Sequence, residues 1–156
     1  NDWINRDWCC GFNIWREVVR DDIPTMVVGK TPGLSLPAKN VQELVWRYRE
    51  ADVFINTSTV SPIPSALLEA MSCGLAVVST ATAMIPTVIE HGVNGLISND
   101  PAELRSFAFE LLKNKDLRDK LGAAARETII KRFSTEAFVV KWDDVFRRAA
   151  NVIYKG

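Results

Sequence analysis

Short apolar, β-branched runs alternate with helix-like stretches through the middle of this chain, and that alternation constrains its fold more than any other feature. Met26-Val27-Val28, closed by Gly29, reads as a short buried strand. Val41 to Ala51 reads as a helix with Val41, Leu44, Val45 and Tyr48 on one face. Asp52 to Thr57 is a second strand, and Pro64 to Cys73 a helix stopped by Gly74, a residue suited to a helix end. Leu75-Ala76-Val77-Val78-Ser79 is a third strand, apolar throughout as in the middle of a parallel sheet. Ile85 to Glu90 reads as a short helix, and Gly92 and Gly95 bracket the turn into Leu96-Ile97. Asp100, Pro101 and Glu103 predict a helix start with a capping box. Helices are expected from there over 101–113, 115–132 and 135–154.

Strands that alternate with helices require crossover connections, and these predict a Rossmann-like α/β fold: a parallel sheet with helices on both faces and a helical tail. Ligands of such sheets bind beyond the carboxyl ends of the strands. The loops of interest are therefore Asn5–Gly11, Gly29–Pro37, Asn56–Pro64 and Thr80–Ile85. No internal repeat or flexible linker divides residues 1–156, which read as one domain.

Composition narrows the function. The 156 residues carry 19 basic and 19 acidic side chains, so no broad positive field exists to capture nucleic acid. An anion would have to be held locally, by backbone amides or a few placed cations. No apolar run approaches the roughly 18 residues that span a bilayer. Three cysteines, Cys9, Cys10 and Cys73, make a poor disulfide framework and fit a reducing cytoplasm. With His91 the single histidine, no Cys/His metal site is expected. The chain lacks an initiating Met and a signal-peptide pattern, and further sequence is expected upstream.

The segment from Thr57 to Ser65 joins a strand to a helix whose first-turn N–H groups and positive dipole end suit an anion. Glu69 is the only charge in Ala66-Leu67-Leu68-Glu69-Ala70-Met71. It lies roughly 7.5 Å along the axis from Pro64, with its side chain tilted back toward the helix start. It is either a solvated surface residue or an acceptor for hydroxyls beside a bound anion.

The run ADVFINTS…SPIPSALLEAMSCGLAVVSTATAMIPTVIEHGVNGLI resembles the donor-binding signature of the retaining glycosyltransferases of family 4, a large group of the GT-B architecture. The later LRDKLGAAARETIIKRFSTEAFVVKWDDVF resembles that family's closing segment. The likeness covers residues 51 to about 148, while the first 50 match poorly. It implies the C-terminal half of a GT-B enzyme. That half binds a nucleotide diphosphate sugar (UDP- or GDP-linked) and presents it, without a metal or cofactor, to an N-terminal acceptor domain missing from this chain. A domain of about 150–200 residues is expected there. Peripheral membrane association would run through that half.

Carried over residue by residue, Glu69 falls on the glutamate that binds the ribose hydroxyls. Ser61 falls where an acidic residue normally contacts the transferred sugar, and Pro62 replaces a glycine, which removes one amide from the diphosphate cradle. Ile63 and Ser65 keep amides that would touch phosphate. In Asn5–Gly11, Arg6 occupies the place of the family's phosphate-clamping arginine; a surface salt bridge with Asp2 or Asp7 is the alternative. The lysine that normally follows is absent, and Lys30 is either its substitute or a solvated loop residue.

The remaining candidates have plainer roles. His91 ends a helix and reads as structural, and Cys9 and Cys10 read as buried or half-buried thiols. Trp15, Trp46 and Trp142 lie on helices and are expected to pack, whereas Trp8 could face a cleft. The departure at Ser61 and Pro62 leaves two further readings open: a nucleotide-binding module that does not catalyse, and an α/β interaction domain without a ligand.

Overall fold

The computed structural model describes residues 2–153. Strands β1 (Val53–Asn56), β2 (Ala76–Ser79) and β3 (Leu96–Ile97) form a parallel sheet in that order. Val53 pairs with Ala76 through to Asn56 with Ser79, and Val78 with Leu96. Every residue of the central strand is buried. Its side chains alternate between two layers, as a strand's must. Ala76 and Val78 pack against Val18 and Val19 of α2 (Phe12–Val19) and Leu104, Ala108 and Leu111 of α5 (Pro101–Lys113). Val77 packs on the other face against Leu67, Ala70 and Met71 of α4 (Ser65–Ser72), with Ile85 and Ile89. Helices thus cover both faces.

Local polar contacts set the helix ends. Asn40 accepts the Glu43 amide at 2.8 Å to start α3 (Val41–Glu50), and Asn114 accepts the Leu117 amide at 3.0 Å to start α6 (Lys115–Phe133). The capping box expected at α5 forms differently. Asp100 accepts the Ala102 amide at 2.8 Å, but Glu103 takes the Ser98 hydroxyl, and that hydroxyl takes the Asp100 amide at 3.0 Å. Ser98 has inserted itself between the two halves of the box. The terminal helix α7 spans Thr135–Ile153, so position 154 of the expected helix lies outside the described residues.

Three expectations need correction. Met26-Val27-Val28 forms no strand; Val28 makes a single bridge with Leu36. A turn in which Leu34 and Ser35 both donate to the Thr31 carbonyl brings Leu36 alongside, leaving Met26 half exposed and unpaired with the sheet. The helix over Ile85–Glu90 is only a 3₁₀ turn, Ile85–Thr87, because Asn94 takes the Glu90 amide at 2.8 Å and diverts the chain. Trp15 stacks on Phe12 as expected, yet Trp46 and Trp142 remain 56% and 45% exposed. Trp142 stands in an aromatic row with Phe138 and Phe146 along α7.

The amino-terminal segment, expected as a loop, folds as a helical turn, α1 (Asp7–Cys10), and docks on the end of β1. Gly11 follows it at φ +65°, and a Cβ there would fall 1.8 Å from the Thr57 carbonyl oxygen. The contact is fastened by hydroxyls: Thr57 Oγ1 donates to Gly11 O at 2.8 Å and Thr59 Oγ1 to Trp8 O at 2.8 Å. The Thr59 amide donates to Cys9 O at 3.0 Å. Behind the turn, Arg105 of α5 donates to the Val18 carbonyl at 2.8 Å and pairs with Asp22, tying α2 to the same layer.

Two glycine substitutions test this packing. Alanine ordinarily strengthens a helix interior by up to about 1 kcal/mol over glycine. At Gly122 of α6 an added Cβ would meet the Gly74 carbonyl oxygen at 2.2 Å, which is backbone and cannot yield. We expect Gly122→Ala to lose about 1–3 kcal/mol in denaturant unfolding. Gly11→Ala should displace the amino-terminal turn, so that the Thr59 amide exchanges with solvent deuterium roughly tenfold faster, the loss of one hydrogen bond of ordinary strength.

Candidate functional site

The strands β1 and β2 end side by side at Asn56 and Ser79, and a polar frame grows from those ends. Asn56 Nδ2 donates to Ser79 Oγ at 2.8 Å, and the Ser58 amide lies 3.4 Å from Asn56 Oδ1. Thr80 and Thr82 both donate their hydroxyls to the Ser58 carbonyl, at 2.6 and 2.7 Å. The Met84 amide donates to Pro62 O at 3.1 Å, and the Ala81 amide to Asn99 Oδ1 at 2.9 Å. Among the described residues no buried side-chain nitrogen or oxygen lacks a partner. Buried polar networks satisfied in this way hold one geometry. Together with the docked α1 turn, three of the four loops anticipated from sequence meet here.

On that frame the segment Ser61 to Ser65 enters α4. Pro64 is its N-cap, with ψ 130°, and no side chain caps the helix. The Leu67 amide donates to Pro64 O at 3.1 Å, whereas among the described residues the amides of Ile63, Ser65 and Ala66 have no acceptor. Pro62 offers no amide at all. Ser61 and Ile63 are half-buried; Pro62 and Ser65 are exposed. Glu69 stands one turn beyond Ser65 on the same face, exposed to solvent.

The Glu69 carboxylate is not adrift. Tyr48 of α3 donates its hydroxyl to Glu69 Oε2 at 3.0 Å, with the Ala66 carbonyl 3.4 Å from the same hydroxyl. The Tyr48 ring meets Phe54 of β1 edge-on, centroids 6.0 Å apart. Burial, followed by the Glu69 carboxylate, pushes the Tyr48 phenol well above its ordinary range. It therefore stays protonated, as a donor, throughout the pH range of ordinary assays.

Arg6 is exposed and sits at the N-cap of α1. The salt bridges weighed against a phosphate role do not form among the described residues. Asp2 instead accepts from Asn5, and Asp7 accepts from Asn13 at 2.7 Å. The docking contacts of this turn are made by its backbone carbonyls, and among the described residues no hydrogen bond or ion pair occupies the Arg6 guanidinium. Lys30 is exposed beside Thr31, whose Oγ1 accepts the Trp3 amide at 2.9 Å, and among the described residues no hydrogen bond or ion pair joins it to Ser61–Ser65. Trp8 is 71% exposed beside Thr59.

The duller candidates settle elsewhere. His91 Nδ1 accepts the Ile97 amide at 3.1 Å and its ring leans on Phe107. All three cysteines are free, with the Cys9 and Cys10 sulfurs 3.5 Å apart. Among the described residues no cluster of His, Cys, Asp or Glu could hold a metal ion, and no helix is long and apolar enough to cross a membrane. A concavity of ≈ 230 Å³ lies at the opposite ends of β1 and β2, lined by residues such as Asp52, Gly74 and Arg118. The carboxyl-end site is instead an open shelf. It can receive an anion on its uncapped amides and hydroxyl donors on Glu69.

Sequence reasoning missed Tyr48 as a partner of Glu69, and it missed the threonines that fasten the loops. The repeats Thr57-Ser58-Thr59 and Thr80-Ala81-Thr82, each just after a strand, were the signal available. Hydroxyl-rich strand ends commonly bond neighbouring backbone.

Comparison with known proteins fits this geometry. N-Acetyl-α-D-glucosaminyl L-malate synthase of Bacillus anthracis is 31% identical over 109 residues, covering 69% of this chain and 28% of that protein. The chain thus spans less than a third of that relative's length. Sucrose-phosphate synthase from Thermosynechococcus elongatus superposes with a TM-score of 0.68 at 22% identity, covering 76% of this chain and 30% of that one. The Anabaena protein HepE, solved in complex with UDP-glucose, superposes with a TM-score of 0.64 at 21% identity, covering 74% and 31%. The family model for glycosyl transferases group 1 matches residues 35–128. With well over half its length inside that match, and with the same α/β fold, this chain belongs to the group 1 glycosyltransferases.

Proposed function

We infer that this chain holds the nucleotide diphosphate sugar for a transfer to an acceptor hydroxyl with retention of configuration. An acceptor-binding domain outside this chain completes the enzyme. One observation carries the reading: the uncapped amides of Ile63 and Ser65 stand at the entry to α4, at the carboxyl ends of the strands, with the carboxylate of Glu69 one turn into the helix. A diphosphate and its neighbouring ribose present that sequence of charges, anion first and hydroxyls next.

In this arrangement the amides and the helix dipole take the diphosphate, and Arg6 swings onto its outer oxygens, where a planar guanidinium offers two parallel donors. Charge grows on the diphosphate as the sugar leaves, so these donors favour the transition state over the bound substrate. The cradle is one of amides and a guanidinium and calls for no metal. Glu69 accepts from the ribose. Ser61 hydrogen-bonds the sugar without contributing a charge. Lys30, joined to the shelf by no hydrogen bond or ion pair among the described residues, is given no part in this scheme. Uridine is the favoured base, because HepE was captured with UDP-glucose. The setting is cytoplasmic, with any membrane attachment supplied by the other domain.

Calorimetry with UDP, GDP and ADP tests the donor role. Glu69→Ala should weaken the preferred nucleotide by roughly ten- to hundredfold, the loss of a charged acceptor worth about 1.5–3 kcal/mol; equal affinity in the two proteins would reject the ribose role. Ser61 and Pro62 favour a second reading, a module that binds without transferring. Donor hydrolysis by the protein joined to its acceptor domain dismisses that reading, whereas activity appearing only in Ser61→Glu supports it.

A further inference from the structure

Glu69 is exposed, and an exposed glutamate loses rotamer freedom when it grips a ligand. This one has already lost part of it. Its Oε2 accepts from Tyr48, 21 positions earlier in the chain, at 3.0 Å, while Oε1 has no partner among the described residues. The Tyr48 ring is itself fixed, edge-on to Phe54 of the sheet. A rigid group packed on the sheet therefore holds one oxygen of a mobile carboxylate and leaves the other turned to solvent.

We propose that Tyr48 is the positioning residue of the donor site: it pre-orders the Glu69 carboxylate so that Oε1 is presented to the ribose hydroxyls before the nucleotide arrives. The inference rests on the ribose role given to Glu69 above. Physically, an acceptor already in its bound rotamer gives up less freedom on binding, and that saving appears as affinity. Tyr48 itself touches no substrate. Its hydroxyl stays protonated across neutral and alkaline pH, because burial and the adjacent carboxylate both disfavour the phenolate. Two negative oxygens are therefore never opposed at this contact in that range.

The second half of the argument concerns what else Tyr48 could be doing. A tyrosine that merely packs would act through its ring, and Tyr48→Phe keeps the ring and its edge-on contact with Phe54. Only the hydroxyl is lost. If that hydroxyl matters through Glu69 alone, it should cease to matter once the carboxylate is gone.

A double-mutant cycle on the whole chain, with UDP as the titrant, decides this. Tyr48→Phe should weaken UDP by about three- to tenfold, the range of a single hydrogen bond, with an unfolding midpoint near that of the parent. Glu69→Ala should weaken it more. The double variant should be no weaker than Glu69→Ala by itself. Parental affinity in Tyr48→Phe, or losses that simply add in the double variant, would overturn the positioning role while leaving the ribose role intact. Parental affinity in Glu69→Ala, or a parent that binds none of UDP, GDP and ADP, would overturn both. Should Tyr48→Phe lower the unfolding midpoint as well, the titrations are repeated at a temperature where every variant is fully folded: a loss of affinity on Tyr48→Phe that vanishes in the Glu69→Ala background supports the proposal, and one that persists there overturns it.

Discussion

The molecule depends on the complete burial of β2. Four residues, Ala76 to Ser79, are shielded on both faces. Helices α2 and α5 close one side while α4 and the Ile85 turn close the other. A strand placed between two apolar layers cannot slide by one residue, because the shift would exchange the side chains of the two faces. Register fixed in the core fixes where the strand ends. Ser79, at that end, meets Asn56 of β1, and the polar frame begins from this pair. The placement of every loop at the site follows from a constraint in the apolar interior.

Rigidity then passes outward through hydroxyl and amide groups. The Ser58 carbonyl is shared by two threonines of the next loop, the Pro62 carbonyl by Met84, and the Cys9 carbonyl by Thr59. Each bond contributes about 0.5–1.5 kcal/mol, modest singly, yet they join segments far apart in the chain. Rigid elements carry sites more accurately than loops do. Here the loops have been made part of the rigid frame, and the uncapped start of α4 stands at its edge. Against that order, the shelf has no wall of its own on the solvent side. A lone Rossmann-like layer offers a surface, and the relative from Bacillus anthracis is much longer than this chain.

How much of this could be read from the sequence depends on the range of the interactions. Strands β1 and β2 and helices α4 to α6 were legible because their signals are local: β-branched apolar runs, Gly74 after a helix, and Pro101 at a helix start. Glu69 and Ser65 could be set on one helix face by spacing alone. Met26-Val27-Val28 had the residues of a strand but not the neighbours; whether an apolar triplet joins a sheet is decided by tertiary contacts. Glu103 had the spacing of a capping box but a better donor in Ser98. Arg6 could be associated with phosphate only through the family likeness, since the threonines that dock its turn lie about fifty positions later. Tyr48 looked ordinary until the fold joined it to Glu69.

The docking of the amino-terminal turn has a bearing on how such a protein can diverge. The threonines of β1's exit read only main-chain oxygens, those of Trp8, Cys9 and Gly11. Main-chain oxygens are the same whatever side chains surround them, so the grip is indifferent to the identity of residues 6 to 10 and exacting only at Gly11. The turn works as an interchangeable fitting on a standard socket: its side chains can drift, exchanging one cation for another or losing it, while the backbone stays seated. A segment held in this way can change its side chains without leaving its seat on the sheet.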